Sequence, residues 1–394
     1  MGIWEHRGKV AAVGLAYSPT SRRWDEKVQT SMASLSILAV KKALEDAGIT
    51  ADQVDGVVTS PGGLGEAWAR RPVPEDFAKT YKMTEGNNED GITQMSADFR
   101  VRNMPELRNV QFTMHGPGCH SNALCVASEA VGRGMAHTVI VLTARGNLAG
   151  RYGQAGQNAG EGMGGSNAFS TVWGPTGPFQ YAWLFNKYCE KYGGNHDMMA
   201  NFVITEKENG LKCPEGFFYQ NRPDHLTKED YLNARWIAKP ANIYDCDMPI
   251  QVAGAFILTT ADRAKDMKQK PVYVLNHATT SPNNRGMIQT LEECEASTDP
   301  TASKLYLGSG LSPKDPDIEN TYEGYTLFHQ YYIEALKYAG MKRGDALQFY
   351  EHEDISIHRP HPISPSGGNA GNGRTRMWMH SDSILQLQGR AGQR

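Results

Sequence analysis

The segment His115-Gly-Pro-Gly118-Cys119-His120-Ser-Asn-Ala123 sets a thiol between two imidazoles and two glycines. It stands between a run that reads as a strand and a run of small residues that reads as a helix. Strand-to-helix turns of α/β sheets lie at strand carboxyl ends, where sites are usually built. A thiol at a helix N-terminus has a lowered pKa because the helix dipole favours thiolate, which makes Cys119 a candidate nucleophile. The plainer reading is that Cys119 is a small buried residue and that the glycines permit a tight turn. Tyr322-Glu-Gly-Tyr325 precedes a predicted helix over roughly 326–338. A tyrosine has a pKa near ~10, so as a base Tyr322 needs a preorganised partner; otherwise it is an aromatic packed at a helix start. Ser364-Pro-Ser-Gly367-Gly368-Asn369-Ala-Gly-Asn-Gly-Arg374 is a glycine-rich turn without a lysine at phosphate-loop spacing. Its backbone amides suit an oxyanion hole instead. His352, His358 and His361 match no common metal-site spacing, and no metal is expected.

The elements that must position these groups alternate. Lys9–Ala16 reads as a buried strand, and Ser34–Ala47 places apolar residues at helical spacing before Gly48. Val57–Thr59, Asn109–Met114 and Thr138–Ala144 read as strands, with 119–134 as a helix. This alternation predicts an α/β sheet with helices on its faces. From Gly146 to Gly177 the chain is rich in glycine and poor in aliphatics, which predicts a long covering loop. Helices near 179–192 and 196–208 follow, then strands at 253–259 and 272–278. The turn Gly310-Leu-Ser-Pro-Lys-Asp315 echoes Gly48-Ile-Thr-Ala-Asp-Gln53 and points to an internal duplication.

The 394 residues are enough for two domains, or for one large domain with a second lobe. With 40 Lys+Arg against 43 Asp+Glu and no basic block, nucleic-acid binding is not expected. No apolar run approaches the ~18–20 residues that cross a bilayer, and the N-terminus lacks the apolar core of a signal peptide. The six cysteines form no Cys-x-x-Cys pair. A soluble, cytoplasmic protein is the expectation.

Ala43-Leu-Glu-Asp-Ala-Gly-Ile with Val54-Asp-Gly-Val, Arg235-Trp-Ile-Ala-Lys-Pro240, Asp245-Cys-Asp-Met-Pro249 and Leu385-Gln-Leu-Gln-Gly-Arg390 resemble the thiolase superfamily over nearly the whole chain. The branch is that of sterol carrier protein X-type thiolases and the steroid side-chain aldolases. The resemblance implies a five-layer α-β-α-β-α sandwich of two similar halves with an inserted loop domain: 1–145, 146–245 and 246–394. It also shows departures. Pro117 falls where a thiolase has its nucleophilic Cys, with Cys119 two residues on. Tyr322 replaces the Asn of the Asn-Glu-Ala-Phe motif, and Arg374 replaces a catalytic His. The chain also stops before the final strand and its Cys-x-Gly loop.

Aldolases of the branch lack the nucleophilic Cys and carry a Tyr at the position of Tyr322. The resemblance therefore implies retro-aldol cleavage of a β-hydroxyacyl-CoA. Tyr322 would be the hydroxyl base or proton shuttle. Amides around Gly118–His120, with His120 or His115 nearby, would hold the oxygen or reprotonate the enolate carbon. Gly367, Gly368, Asn369 and Arg374 would bind oxyanion or substrate, and Arg374 cannot be a base because it is always protonated. No covalently bound cofactor is implied; coenzyme A enters as part of the substrate. The branch further implies a homodimer flanked by a small acyl-CoA-binding partner of the OB-fold and zinc-ribbon type. Two other readings stand beside this one: a Claisen-type acyltransferase using Cys119, and a catalytically silent scaffold subunit.

Overall fold

Eight residues, Val10–Tyr17, form β1, and all but Ala16 are buried. The structure, a computed structural model, describes residues 2–25, 27–60, 97–116, 119–145, 177–280 and 290–394. After β1 comes α1 (Met32–Ala47), opened by Ser31, whose side chain accepts the N–H of Ser34, and closed by Gly48 at φ +71°. Strand β2 (Gly56–Ser60), α2 (Ala97–Asn103), β3 (Phe112–His115), α3 (His120–Gly132) and β4 (Thr138–Arg145) follow. Helices α4 (Gly177–Tyr192), α5 (Ala200–Gly210), α6 (Phe217–Asn221) and α7 (Lys228–Leu232) lead to the hairpin β5 (Trp236–Ala238) and β6 (Ala241–Asn242). Strand β7 (Val252–Thr260), α8 (Ala261–Ala264) and β8 (Val272–Tyr273) then return the chain to the main sheet.

That sheet has the order β3-β2-β4-β7-β1-β8. Strand β2 runs parallel to β3 and β4, while β7 lies antiparallel between β4 and β1. Its central strands read as unbroken apolar runs because both faces are covered. Leu35, Ala39, Val40 and Ala43 of α1 pack on Val13, Ile140 and Ile257. On the other face Ala123, Ala127 and Val131 of α3 pack on Val58, Val141 and Phe256. Gly14 permits a close approach of α1 to β1: a Cβ there would stand 2.7 Å from that of Ala47.

The second half supplies α9 (Leu291–Ser309), α10 (His329–Ala335), α11 (Ala346–His352), α12 (Gly368–Asn372) and α13 (Trp378–Gln388). The internal echo is visible where the sequence places it. Gly310 closes α9 at φ +69° as Gly48 closes α1, and each turn is pinned by a side-chain oxygen on a backbone N–H: Gln53 on Thr50 at 2.9 Å, Asp315 on Ser312 at 2.6 Å. Beyond the turn the halves differ. The first enters β2, whereas Asp317–Thr321 enters an extended segment joined to Ile363 by a single bridge at Glu319. The strand expected over 272–278 is the two-residue β8, and the helix expected over 326–338 divides into a 3-10 turn (Thr326–Phe328) and α10. Helices α4 and α5 share one core with the second half, in which Phe185, Tyr188 and Phe202 meet Tyr331, Leu347 and Tyr350. The expected covering loop at 146–176 lies outside the described residues.

Candidate active site

Asp245 anchors the region from below. Its carboxylate is buried and accepts four hydrogen bonds: from His196 Nε2 at 2.7 Å, Tyr231 Oη at 2.8 Å, Thr326 Oγ1 at 2.6 Å and the Asn242 N–H at 2.7 Å. One side chain thus joins α7, the 3-10 turn before α10 and the segment leaving β6. Two residues on, the Asp247 N–H donates to the Gly324 carbonyl at 2.8 Å, and Cys246 faces Tyr325 in an antiparallel bridge. The Arg374 N–H donates to Met248 O, also at 2.8 Å. Three extended segments, 245–249, 321–325 and the stretch at 374, therefore lie side by side.

The half-buried ring of Tyr322 packs in this arrangement. A Cβ on Gly324 would fall 2.5 Å from Asp247 Oδ2 and would also collide with the Tyr322 hydroxyl, so the carboxylate and the phenol converge over one glycine. Burial pushes the Tyr322 hydroxyl well above the ordinary tyrosine range and Asp247 adds to that push, while Arg376 and Arg374 oppose it. The Arg376 guanidinium carbon stands 5.4 Å from the centre of the Tyr322 ring, a cation–π distance. Burial alone would lower the Arg376 pKa, but Tyr322, Cys119 and Asp247 carry it above its usual value. Tyr181, from α4, stacks on Tyr325 with ring centres 4.1 Å apart and feels both arginines. The site is thus a half-buried phenol with a carboxylate converging on it and one guanidinium on its ring, while Arg374 on the neighbouring segment acts on it electrostatically.

The sequence-derived residues divide. Tyr322 and Arg374 lie on adjoining segments, and Cys119, the half-buried N-cap of α3, is near enough to Arg376 and Tyr332 to act on them electrostatically. His120 and His115 face other partners. His120 Nδ1 pairs with Thr143 Oγ1 at 2.7 Å, and its ring leans on Phe256 at 4.5 Å and His380 at 5.3 Å. Burial, and secondarily His380, holds His120 well below the usual imidazole range, so it stays neutral. His115 Nδ1 pairs with Thr59 Oγ1 at 2.9 Å at the end of β3. Gly118 lies outside the described residues.

The glycine-rich turn corrects an expectation. Its amides are committed within the protein: Gly367 N–H to Ser364 O at 2.8 Å, Gly368 N–H to Ser366 Oγ at 3.0 Å, and the Asn369 and Ala370 amides to Glu323. In this structure Gly367, Gly368 and Asn369 therefore offer no open backbone oxyanion hole. Gly367 serves packing instead, since at φ +75° a Cβ there would strike the α5 backbone at Glu206 and Gly210. Burial lifts Glu323 to about 8 despite its two amide donors, and burial with the neighbouring Glu323 charge lifts Glu206 well above the carboxylate range.

Asp247, Arg376 and Tyr181 were not singled out by sequence. Asp247 sits in the Asp245–Pro249 marker and Arg376 two residues from Arg374, but nothing in their spacing showed that they meet Tyr322. Among the described residues, a cavity of about 490 Å³ lies between β1, α1 and Arg390, and one of about 240 Å³ beside Phe179 and Trp183. Neither is lined by Tyr322. No group of three His, Cys, Asp or Glu is placed to hold a metal, and no helix is long and apolar enough to cross a membrane, among the described residues. His352, His358 and His361 lie exposed on the surface.

No protein-family model matches the chain. It is 27% identical over 397 aligned residues, covering 97% of this chain and 92% of the relative, to the 17-hydroxy-3-oxo-4-pregnene-20-carboxyl-CoA lyase of Mycobacterium tuberculosis. It is 26% identical, over 86% of this chain and 81% of the relative, to the steroid side-chain-cleaving aldolase of Thermomonospora curvata. Among solved structures it superposes on the Ltp2-ChsH2(DUF35) aldolase with a TM-score of 0.76 at 21% identity, covering 98% of this chain and 91% of the other. The human mitochondrial 3-ketoacyl-CoA thiolase in complex with CoA gives 0.63 at 12% identity, covering 99% and 94%. The fold is that of the thiolases, and the similarity in sequence runs to steroid side-chain aldolases over nearly the full chain.

Proposed function

We propose that this chain is an aldolase that cleaves a carbon–carbon bond in a β-hydroxyacyl-CoA thioester carrying a steroid or other bulky acyl group. The products are a ketone or aldehyde and a shorter acyl-CoA. The observation that carries this reading is the convergence of Tyr322 and Asp247 over Gly324, with Arg376 on the phenol ring. Retro-aldol cleavage requires the β-hydroxyl proton to leave as the Cα–Cβ bond breaks. The electron pair of the O–H bond becomes the carbonyl π bond, and the pair of the Cα–Cβ bond becomes the thioester enolate. A phenol held well above its usual pKa does not ionise by itself at neutral pH. It works as a shuttle, taking the substrate proton as its own passes to Asp247, and returning a proton when the enolate carbon is quenched. Arg374 and Arg376 then face the growing negative charge, where fixed cations in a water-poor site lower the barrier most. They do this as permanent charges and never as bases.

Coenzyme A is read as the substrate's handle, and no covalently bound cofactor enters the scheme. The names of the two relatives, a carboxyl-CoA lyase and a side-chain-cleaving aldolase, support the substrate class. The compound name of the structural neighbour supports a partner protein, which we take to be a small OB-fold and zinc-ribbon acyl-CoA-binding chain. A homodimer is supported by β3, which among the described residues stands at the sheet edge with Met114 46% exposed, as an edge strand that could pair with a second copy does. We also read the chain as cytoplasmic, with residues 146–245 as an insert between two thiolase-like halves.

One observation keeps a second reading in play: Cys119, at the opening of α3, shares the cluster with Arg376. A Claisen-type acyltransferase would use that cysteine as its nucleophile. Variants at the two residues separate the readings. Under the aldolase reading Tyr322→Phe lowers cleavage by ~10²–10⁴-fold, while Cys119→Ala and iodoacetamide leave it within about twofold. The reverse pattern establishes the acyltransferase.

A further inference from the structure

Behind the reacting groups, three residues close a loop back onto Tyr322. Glu323 follows Tyr322 in the chain and is fully buried, and its Oε1 accepts the Asn369 N–H, with the Ala370 N–H at 3.3 Å. Asn369 is fully buried as well. Its Oδ1 accepts two backbone amides, Thr375 at 3.1 Å and Arg376 at 2.9 Å. Two donors on one oxygen fix the orientation of the carboxamide, whose Nδ2 has no hydrogen-bond partner among the described residues. Arg376 is held at φ +65°, a left-handed conformation that a long side chain does not adopt unless its surroundings impose it. From there the guanidinium reaches the face of Tyr322.

We propose that Asn369, seated on Glu323, is the positioning residue that places Arg376 over Tyr322, so that its part in turnover runs through that cation and not through contact with substrate. The proposal rests on the aldolase reading of the site. The physical chain is short. Without the Asn369 oxygen, the Thr375 and Arg376 amides lose their acceptor in a buried place. The Arg376 amide then loses the bond that helps hold residue 376 left-handed, the backbone relaxes to negative φ, and the guanidinium leaves the ring. Tyr322 keeps the burial and the Asp247 charge that raise its pKa but loses a cation that opposes them. Arg376 acts on charge that grows only as the bond breaks, so kcat and not KM is the parameter that moves.

The test is a four-enzyme cycle of the parent, Asn369→Ala, Arg376→Ala and the double variant, with kcat and KM measured on a bulky β-hydroxyacyl-CoA that the parent cleaves. Asn369→Ala is expected to lower kcat ~10–100-fold with KM within about twofold, and the double variant to be no slower than Arg376→Ala. Losses that multiply, or a folded Asn369→Ala with parental kcat, overturn the proposal. If Asn369→Ala does not fold, Asn369→Ser enters the same cycle, because its shorter hydroxyl cannot reach both amides. A crystal structure of the Asn369 variant gives a readout independent of activity. Residue 376 at negative φ with its guanidinium beyond ~6 Å from the ring centre supports the proposal, and an unmoved Arg376 refutes it. A parent that cleaves no β-hydroxyacyl-CoA refutes the aldolase reading instead, and the crystal structure still judges the positioning.

Discussion

Replacing Gly324 by alanine puts a methyl group between the two oxygens on which the proposed chemistry depends. Gly324 is not among the positive-φ glycines, so alanine meets no backbone objection there. The objection is steric: the new Cβ would lie 2.5 Å from Asp247 Oδ2, against an ordinary contact of 3.4 Å, and it also meets the Tyr322 hydroxyl. Relief requires a displacement of about 0.9 Å. The atoms in the way are the far ends of side chains, so the fold yields readily, at about 1–3 kcal/mol for overpacking. The chemistry yields more. A misplacement of ~1 Å costs on the order of 10²-fold in rate, or about 2.7 kcal/mol of barrier. The assay is single-turnover cleavage followed by mass spectrometry at saturating substrate. Gly2→Ala serves as the control, since its Cβ meets nothing within 4 Å. A folded Gly324→Ala enzyme that cleaves within about threefold of the parent would refute the convergence of Tyr322 and Asp247 as the working pair.

Other perturbations separate the chemistry from its supports. Asp247→Asn removes a charge that helps hold the Tyr322 pKa up, so the phenol should titrate at lower pH in an activity profile. Cleavage should fall ~10²–10⁴-fold because the relay loses its acceptor; an unchanged rate would remove Asp247 from it. Asp245→Ala strands the partners on His196, Tyr231, Thr326 and Asn242, and should cost about 3 kcal/mol or more at ~1–3 kcal/mol per orphaned buried group. Denaturant unfolding measures it, and a loss under 1 kcal/mol would contradict the anchoring role. His380 is held down to about 4 by burial, against ~6.5 when unfolded. The unfolded chain therefore binds the proton first, and stability is lost as pH falls from ~6.5 toward 4. Glu323 and Glu206, raised in the fold, lose their contribution as pH rises instead. The difference between parent and His380→Leu in urea midpoints across that window isolates the histidine, and a parent no more acid-sensitive than the variant would refute the assignment.

What the sequence made legible follows from range. Helix α1, its cap at Gly48 and the matching turn at Gly310 rest on contacts a few residues apart, and periodicity with turn chemistry finds such features. Tyr322, Arg374 and Cys119 emerged because each sits in a local pattern. Asp247 and Tyr181 did not, since they reach Tyr322 and Tyr325 only through pairing and packing across scores of residues. The glycine-rich turn misled for a related reason. Its composition allows an oxyanion hole, but a buried carboxylate from Glu323 already occupies the amides at Asn369 and Ala370. The second half shows the same limit, because its duplicated turn is local while the single bridge after it, Glu319 to Ile363, depends on where distant segments settle.

The most direct test of the central claim is a product analysis. A panel of β-hydroxyacyl-CoAs with bulky acyl groups is incubated with the protein, alone and with a small zinc-ribbon partner, and the products are identified by mass spectrometry with and without added coenzyme A. The aldolase account predicts a ketone or aldehyde and a shorter acyl-CoA in equal amounts, formed without free coenzyme A and abolished by Tyr322→Phe. Cleavage that consumes coenzyme A and disappears with Cys119→Ala would contradict it.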